Sequence, residues 1–413
     1  MNSTSGNTRR RLGIMGGGQL GMFLCQAARE LDVATAVLEP NPAGSALPFA
    51  DLPIVAALGD LDAMRRLVEH SDVVTFELEA IPEESLELLR EAEEQGRIRV
   101  HPSIDTLARF KDKGVQKAWL EDAGLPTLPY LTVQGGKLPA AFREQGWSLP
   151  VVQKAHRGGY DGKGVQLLRD EADLANLWDV PSYLEPALLP CLELSVVVCR
   201  GADGRLIAYP PVSMAFDDRY NAVHSVASPA QVEPALVEEA ERIALEAIGR
   251  LTTPGVFAVE LFVDPDRQVT INEISPRVHN SGHLGLEAFR HSQFEQHVRA
   301  VLGMPLAPIE STGAAAEMVN VLYDAGLEHA CPPAPRSDDL PVAGGVRVLR
   351  AHWYGKSTGQ PGRKMGHITA VGDSAAAVHA AAENALRGLI DRPGPDGARG
   401  AAATTNDEET LTP

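Results

Sequence analysis

The chain has 413 residues, 44% of them hydrophobic and 22% charged, which is enough for two or three cored domains. Asp and Glu outnumber Lys and Arg by 55 to 37, and the resulting net charge of −18 repels a phosphate backbone, which argues against a nucleic-acid partner. No run approaches the roughly 20 apolar residues that span a bilayer, and the Arg-rich start gives way to glycines rather than a signal core, so the chain reads as cytoplasmic.

Leu12–Met15 is apolar and is followed by glycines, then by Leu20, Phe23, Leu24, Ala27 and Leu31 at helical spacing. That pattern predicts strand, tight turn, helix. Further apolar runs, Ala34–Leu38 ending at Glu39 and Val73–Phe76 ending at Glu77, continue the alternation and predict a parallel sheet covered on both faces. Gly16, Gly18 and Gly21 form a G-x-G-x-x-G, with Glu39 near the acidic position of a dinucleotide fingerprint. Taken alone this favours an NAD-dependent oxidoreductase. Its physical content is narrower, since such a loop guarantees only that backbone approaches an anion at a helix N-terminus. A bare connecting turn is the bland alternative.

The pattern breaks into a Pro-rich connector around Leu125–Pro129, and the domain boundary is expected just before the helix that leads into it, which makes 1–112 the first domain. Val151–Lys154, Val165–Leu168, Leu194–Cys199 and Leu206–Tyr209 are short, β-rich and separated by Gly and Asp turns, which predicts an antiparallel lobe. Lys154 ends the first of these strands and precedes a loop with four glycines, at 158, 159, 162 and 164. Such a loop can fold over a triphosphate while Lys154 supplies a fixed charge. Glu185 and Glu193 come next, at positions that read as strand edges, where exposed charge is the bland reading.

A helix fits Glu233–Leu251, succeeded by strands Val256–Val263 and Val269–Ile274 around a turn at 265–268. If Asp264 pairs with Val269, Glu260 falls opposite Glu273, with the carboxylates roughly 5 Å apart. Like charges so placed make sense around a cation, and oxygen ligands beside a phosphate loop suggest magnesium. On that reading Glu273→Gln should leave metal-free stability unchanged or slightly higher. The four cysteines are widely spaced and are expected to be buried free thiols. After residue 392 little remains to bury, so 393–413 is expected to be a disordered tail. There is no internal repeat.

Lys154, the run Gly159–Gly164, Glu185, Glu193–Ser195, Glu260 and Asn272–Glu273 together resemble an ATP-grasp site. Gly16–Gly21, Val74–Glu77, Pro276–His283 and Pro361–His367 are more specifically similar to the N5-carboxyaminoimidazole ribonucleotide synthetases of purine biosynthesis, over about residues 11 to 390. The resemblance implies an α/β (α+β) ATP-grasp fold: an N-terminal Rossmann-like parallel sheet (1–112), an antiparallel lid lobe (113–205) and a C-terminal α+β portion (206–392) that completes the ATP-grasp and holds substrate. It implies a homodimer and an ATP- and bicarbonate-dependent carbon–nitrogen ligase that carboxylates 5-aminoimidazole ribonucleotide through carboxyphosphate. The rivals are a formate-using ribonucleotide transformylase of the same class, the NAD enzyme above and a silent binding protein.

By the same resemblance, Lys113 and Lys154 contact ATP phosphates and Gly159, Tyr160, Asp161, Gly162, Lys163, Gly164 and Val165 close over them. Glu185, Pro186, Ala187 and Leu188 take the adenine hinge, Glu193 the ribose, and Phe216 packs beside the nucleotide. Glu260, Asn272 and Glu273 hold magnesium, while Lys154 and Arg277 stabilise the reacting oxyanions. Gly18, Gln19, Leu20, Glu77, Tyr160, Asp161, Lys163, Arg277, Asn280, Ser281, Lys356, Arg363 and Lys364 hold the ribonucleotide, the glycine loop taking its phosphate together with the basic residues of the last motif. Three departures stand out. Lys113 replaces the usual Arg, Met22 replaces a basic residue, and 215–230 does not match the segment that covers the nucleotide.

Overall fold

The structure is a computed structural model and describes residues 9–158, 164–324, 331–356 and 359–390. The expected tail and the loop residues 159–163 lie outside the described residues. The first layer runs β1 (Arg11–Met15), α1 (Gln19–Glu30), β2 (Ala34–Glu39), β3 (Leu52–Val55), α2 (Leu61–Glu69), β4 (Val73–Phe76), α3 (Glu83–Glu94), β5 (Arg99–Val100) and α4 (Ile104–Lys111). Its five strands are all parallel, in the order β3-β2-β1-β4-β5. β4 is buried along its whole length, as a strand covered by helices on both faces requires. Side-chain caps set the helix starts: Asp60 accepts from Asp62 and Ala63 before α2, and Ser103 accepts from Thr106 before α4.

Asp112 caps α5 (Lys113–Asp122), which leads to a small antiparallel sheet: β6 (Leu131–Val133), then α6 (Ala140–Glu144), β7 (Val151–Ala155), β8 (Val165–Leu168) and β9 (Ser182–Pro186). Its order is β6-β9-β7-β8, so Glu185 lies on an inner strand rather than at an edge.

The remaining strands build one large antiparallel sheet. They are β10 (Leu192–Arg200), β11 (Leu206–Ala208), β12 (Val212–Asp217), β13 (Ala222–Ser228), β14 (Gly255–Val263) and β15 (Val269–Ser275), with α7 (Pro234–Gly249) between the fourth and fifth. After α8 (Gly285–Ala288) and α9 (Gln293–Val301) come β16 (Ala315–Leu322), β17 (Pro335–Asp339), β18 (Val346–Tyr354), β19 (Lys364–Gly372) and α10 (Ala375–Ile390). The order is β15-β14-β10-β12-β13-β16-β19-β18-β17, with β11 on β10.

This corrects the reading of Leu194–Cys199 and Leu206–Tyr209 as part of the small lobe. β10 has six consecutive buried residues, Leu194–Cys199. Leu194, Val196 and Val198 enter one core with α7, and Val197 and Cys199 enter another with α1 and α9. A strand apolar on both faces needs cover on both, and only the large sheet supplies it. The second of those cores also joins the first layer to the large sheet, through Phe23 against Phe294 at 5.0 Å between ring centroids. Cys25 and Cys199 are buried free thiols as expected, whereas Cys191 and Cys331 are only half-buried.

Candidate active site

A cleft of about 640 Å³ opens where the parallel layer meets the large sheet. Its lining brings together Gln19 and Leu20 from α1, Glu77 after β4, Lys113 from α5, Phe216 from β12, Glu260 and Glu273 from β14 and β15, Arg277, Asn280 and Lys364.

Glu260 does face Glu273, although by a different register from the one expected. Val263 pairs with Val269 and Leu261 with Ile271, one residue out of the expected phase, until a bulge between Glu260 and Leu261 leaves Asn272 as the extra residue on β15. Asn272 and Glu273 are then both only partly buried, where strict alternation would bury one of them. Gln116 clamps the next residue through both main-chain groups of Ile274, accepting from its N–H at 2.7 Å and donating to its carbonyl at 3.1 Å.

Each of these oxygen donors meets a polar partner in the fold. Glu273 is ion-paired with Lys113, Asn272 Oδ1 accepts from Lys154 Nζ at 2.6 Å, and Glu260 lies 3.2 Å from His279 Nε2. Burial, then the charges of Arg277 and Lys364, push the His279 pKa well below its ordinary value, so the imidazole is neutral. Its Nδ1 accepts from the Ser281 N–H at 3.3 Å, which leaves the proton on Nε2, facing Glu260. Burial raises the pKa of Glu260 and, with Glu260 as neighbour, that of Glu193 to about 7. Two carboxylates and an amide oxygen, with lysines beside them, form the all-oxygen set that a hard divalent cation takes.

Lys154 is buried and also contacts Glu185 Oε1 at 2.6 Å, while Lys117 reaches Glu185 Oε2 at 2.8 Å. Burial opposes the charge on Glu185, but the two lysines outweigh it and hold its pKa below the usual value. The Glu185 carboxylate, expected at an adenine hinge, is therefore 2% exposed and committed to positioning Lys154. Any recognition in this segment falls to main-chain groups. Pro186 has no N–H, and the Ala187 N–H donates to the Pro150 carbonyl at 3.2 Å.

The glycine loop corrects a second expectation. The Gly18 and Gly21 N–H groups donate to Glu77 Oε1 and Oε2, both at 2.5 Å, and the Gly17 N–H donates to Glu39 Oε2 at 2.6 Å. Carboxylates of the chain already fill the anion cradle, so a substrate phosphate does not sit in it. The same bonds speak against NAD, whose pyrophosphate needs those donors and whose ribose needs Glu39. Gly16, at φ +94°, has no room for a Cβ, which would lie 2.4 Å from the Glu77 side chain.

Among the other expected residues, Arg277 Nε binds Glu79 at 2.7 Å, and Asn280 exchanges amide bonds with Asn320 at 3.0 and 2.9 Å. Lys364 is 6% exposed, Lys356 donates to its carbonyl at 2.6 Å, and Arg363 is exposed beside it. Ser281 does not line the cleft; it is buried, 2.8 Å from Ser195 Oγ. Gly164, Val165 and Leu188 are half-buried outside the cleft lining. The divergent 215–230 segment is the β12–β13 hairpin, whose Phe216, Asn221, Ala222 and Val223 wall the cleft. Met22 is 2% exposed within the core.

Sequence reasoning missed Gln116, Lys117, Glu79 and His279. The first two are polar residues on the buried face of a helix, which is a usable signal. His279 lies within the Pro276–His283 motif, where nothing in the sequence alone gives it a role.

Comparison with known proteins agrees with this geometry. Residues 9–110 match the ribonucleotide synthetase preATP-grasp domain, 118–294 the ATP-grasp domain and 316–381 the phosphoribosylaminoimidazole carboxylase C-terminal domain. The N5-carboxyaminoimidazole ribonucleotide synthase of Synechococcus elongatus is 36% identical over 374 residues, covering 89% of this chain and 91% of that one. The chain belongs to the N5-carboxyaminoimidazole ribonucleotide synthase family. The crystal structure of the Thermotoga maritima synthetase superposes with a TM-score of 0.77 at 35% identity, over 92% of this chain and 98% of that one. The Aspergillus clavatus enzyme in complex with ADP and 5-aminoimidazole ribonucleotide superposes with a TM-score of 0.76 at 27% identity, over 93% and 99%. The fold is ATP-grasp, with the family's preATP-grasp parallel sheet and C-terminal domain. No helix among the described residues is long and apolar enough to cross a membrane.

Proposed function

We propose that the chain carboxylates the exocyclic amine of 5-aminoimidazole ribonucleotide with ATP and bicarbonate, giving N5-carboxyaminoimidazole ribonucleotide, ADP and phosphate in purine biosynthesis. The observation that carries this is the facing Glu260–Glu273 pair and Lys113, which line the same cleft as Gln19, Glu77, Arg277 and Lys364, with Asn272 and Lys154 bonded to each other directly behind them. Phosphate chemistry and a basic, polar binding wall thereby share one space.

Bicarbonate is a poor electrophile. A bicarbonate oxygen attacks the γ-phosphorus of ATP and ADP leaves, giving carboxyphosphate; the amine nitrogen then attacks the carboxyl carbon, inorganic phosphate leaves, and the nitrogen loses a proton. Lys154, fixed by Glu185 and Asn272, and Lys113 neutralise the transferring phosphoryl group, and Arg277 faces the oxyanions. Magnesium, held by Glu260, Asn272 and Glu273, would supply further charge neutralisation on the phosphates. Main-chain groups of Glu185–Leu188 receive adenine, Glu193 the ribose, and Lys356, Arg363 and Lys364 the ribonucleotide phosphate.

The decisive measurement is ADP release with substrates omitted in turn. ADP should appear at the full rate only with both bicarbonate and 5-aminoimidazole ribonucleotide present. Turnover with formate in place of bicarbonate would favour the transformylase reading.

A further inference from the structure

Outside the cleft, four metal-ligating side chains from three elements converge where α10 crosses β13 and β16. Glu317 lies in β16, a strand buried throughout, and its side chain is only 7% exposed. His379 and Glu383 stand four residues apart on α10, on one face and one turn apart. His224 lies on β13 at an irregularity: Ala215 pairs with Ser225 and Phe216 with Val223, so His224 is the extra residue and the bulge re-aims it.

The distances join these groups into one cluster. His379 Nδ1 is 2.9 Å from Glu317 Oε1, and His224 Nε2 is 2.7 Å from Glu383 Oε1. Ligand atoms of Glu317, His379 and Glu383 all lie within 4.8 Å of one another. Two independent His–Glu pairs have no need to bring both carboxylates to one histidine, and like charges that approach without a cation repel. Arg387, the nearby cation on α10, turns its Nε to the Glu383 carbonyl at 3.4 Å.

The geometry points to a divalent transition-metal site of the zinc class, built by Glu317, His379, Glu383 and His224, that clips α10 to the large sheet. Two imidazoles and two carboxylates form an intermediate donor set that favours Zn²⁺ or Co²⁺ over magnesium. A tetrahedral zinc ion holds its ligand atoms roughly 3.3 Å apart; Glu317, His379 and Glu383 already lie within 4.8 Å of one another, and His224 reaches the group through Glu383 at 2.7 Å. The site is distinct from the cleft but adjoins its wall, because Val223, the residue before His224, lines the cleft.

The test is calorimetric titration of the metal-stripped full chain with ZnCl₂, with excess Mg²⁺ present to cover Glu260 and Glu273. The wild type should bind one more Zn²⁺ per chain than the double variant His379→Ala/Glu383→Gln, or bind it at least tenfold more tightly. Zinc should raise the melting temperature of the wild type alone. Co²⁺ should give the wild type visible absorption bands of tetrahedral nitrogen and oxygen coordination that the variant lacks. Half-buried Cys191 and Cys331 are present in both proteins, so thiol binding cancels. If the double variant misfolds by circular dichroism, His224→Gln replaces it in the same comparison. Equal zinc binding by wild type and variant, or none by either, overturns the site.

Discussion

At the scale of single residues, Glu273 shows how a charge inferred from sequence changes meaning once its neighbours are known. Its place on the strand beside Glu260 is readable in the sequence, and simple repulsion between the two predicts that neutralising it costs no stability. In the fold Lys113 is its ion-pair partner, and burial, together with Lys154, already depresses the pKa of that lysine to about 8. Glu273→Gln would leave Lys113 without this partner, so metal-free stability should fall by about 1 kcal/mol rather than rise. Turnover should fall by on the order of 10²-fold or more, because charge neutralisation at the phosphates is removed. Urea denaturation without metal and a steady-state assay check the two halves. A variant with full turnover would show that Glu273 is structural.

At the scale of elements, the small sheet and α5 act together through a buried charge triad. Glu185 on β9 meets Lys154 from β7 and Lys117 from α5, and Lys117 also donates to Thr127 Oγ1 and the Leu128 carbonyl, which fastens the connector to the helix. Removing one partner of a buried ion pair leaves an uncompensated charge, so Lys117→Met should cost about 3 kcal/mol by urea denaturation. Lys154 would keep its carboxylate, so the folded fraction should still turn over, unlike Lys154→Met. An unchanged urea midpoint would show that the triad does not hold the lobe. The bulge at Asn272 is the other element-scale device. It returns Glu273 to the cleft face after a turn that would otherwise have put it one residue out of phase.

At the scale of the whole molecule, one cleft collects side chains from Gln19 to Lys364. On the proposed function, its basic end is where amine recognition is separated from ATP chemistry. Lys364 lines the cleft, Lys356 is bonded to its carbonyl and lies 5.1 Å from the Tyr354 ring centroid, and the Pro361–Gly362 turn carries Arg363. If this segment holds the ribonucleotide phosphate, each charge-assisted hydrogen bond that is removed is worth roughly 1.5–3 kcal/mol. Lys356→Ala and Arg363→Ala should then raise the Michaelis constant for the ribonucleotide roughly 10- to 150-fold and spare that for ATP. Measured at fixed ionic strength, equal effects on both constants, or none on either, would remove this segment from the substrate site.

Although the bulge at Asn272 that brings Glu260 and Glu273 face to face did not follow from it, the sequence by itself determined the parallel first layer, the strand that carries Lys154 and the placing of the two glutamates on neighbouring strands. These arise from local periodicity and from charges that interrupt apolar runs, both carried by consecutive residues. Only the tertiary structure decided where β10 belongs, because a doubly apolar strand reads the same in any sheet large enough to cover it. It also decided what fills the glycine loop. Gly18 and Glu77 are 59 residues apart, and nothing local to either says that the carboxylate will occupy the N–H groups a phosphate was expected to take. Long-range pairing of this kind is set by how sheets and helices close on one another, and so the commitment of Glu185 to two lysines and the neutrality of His279 became visible only in the fold.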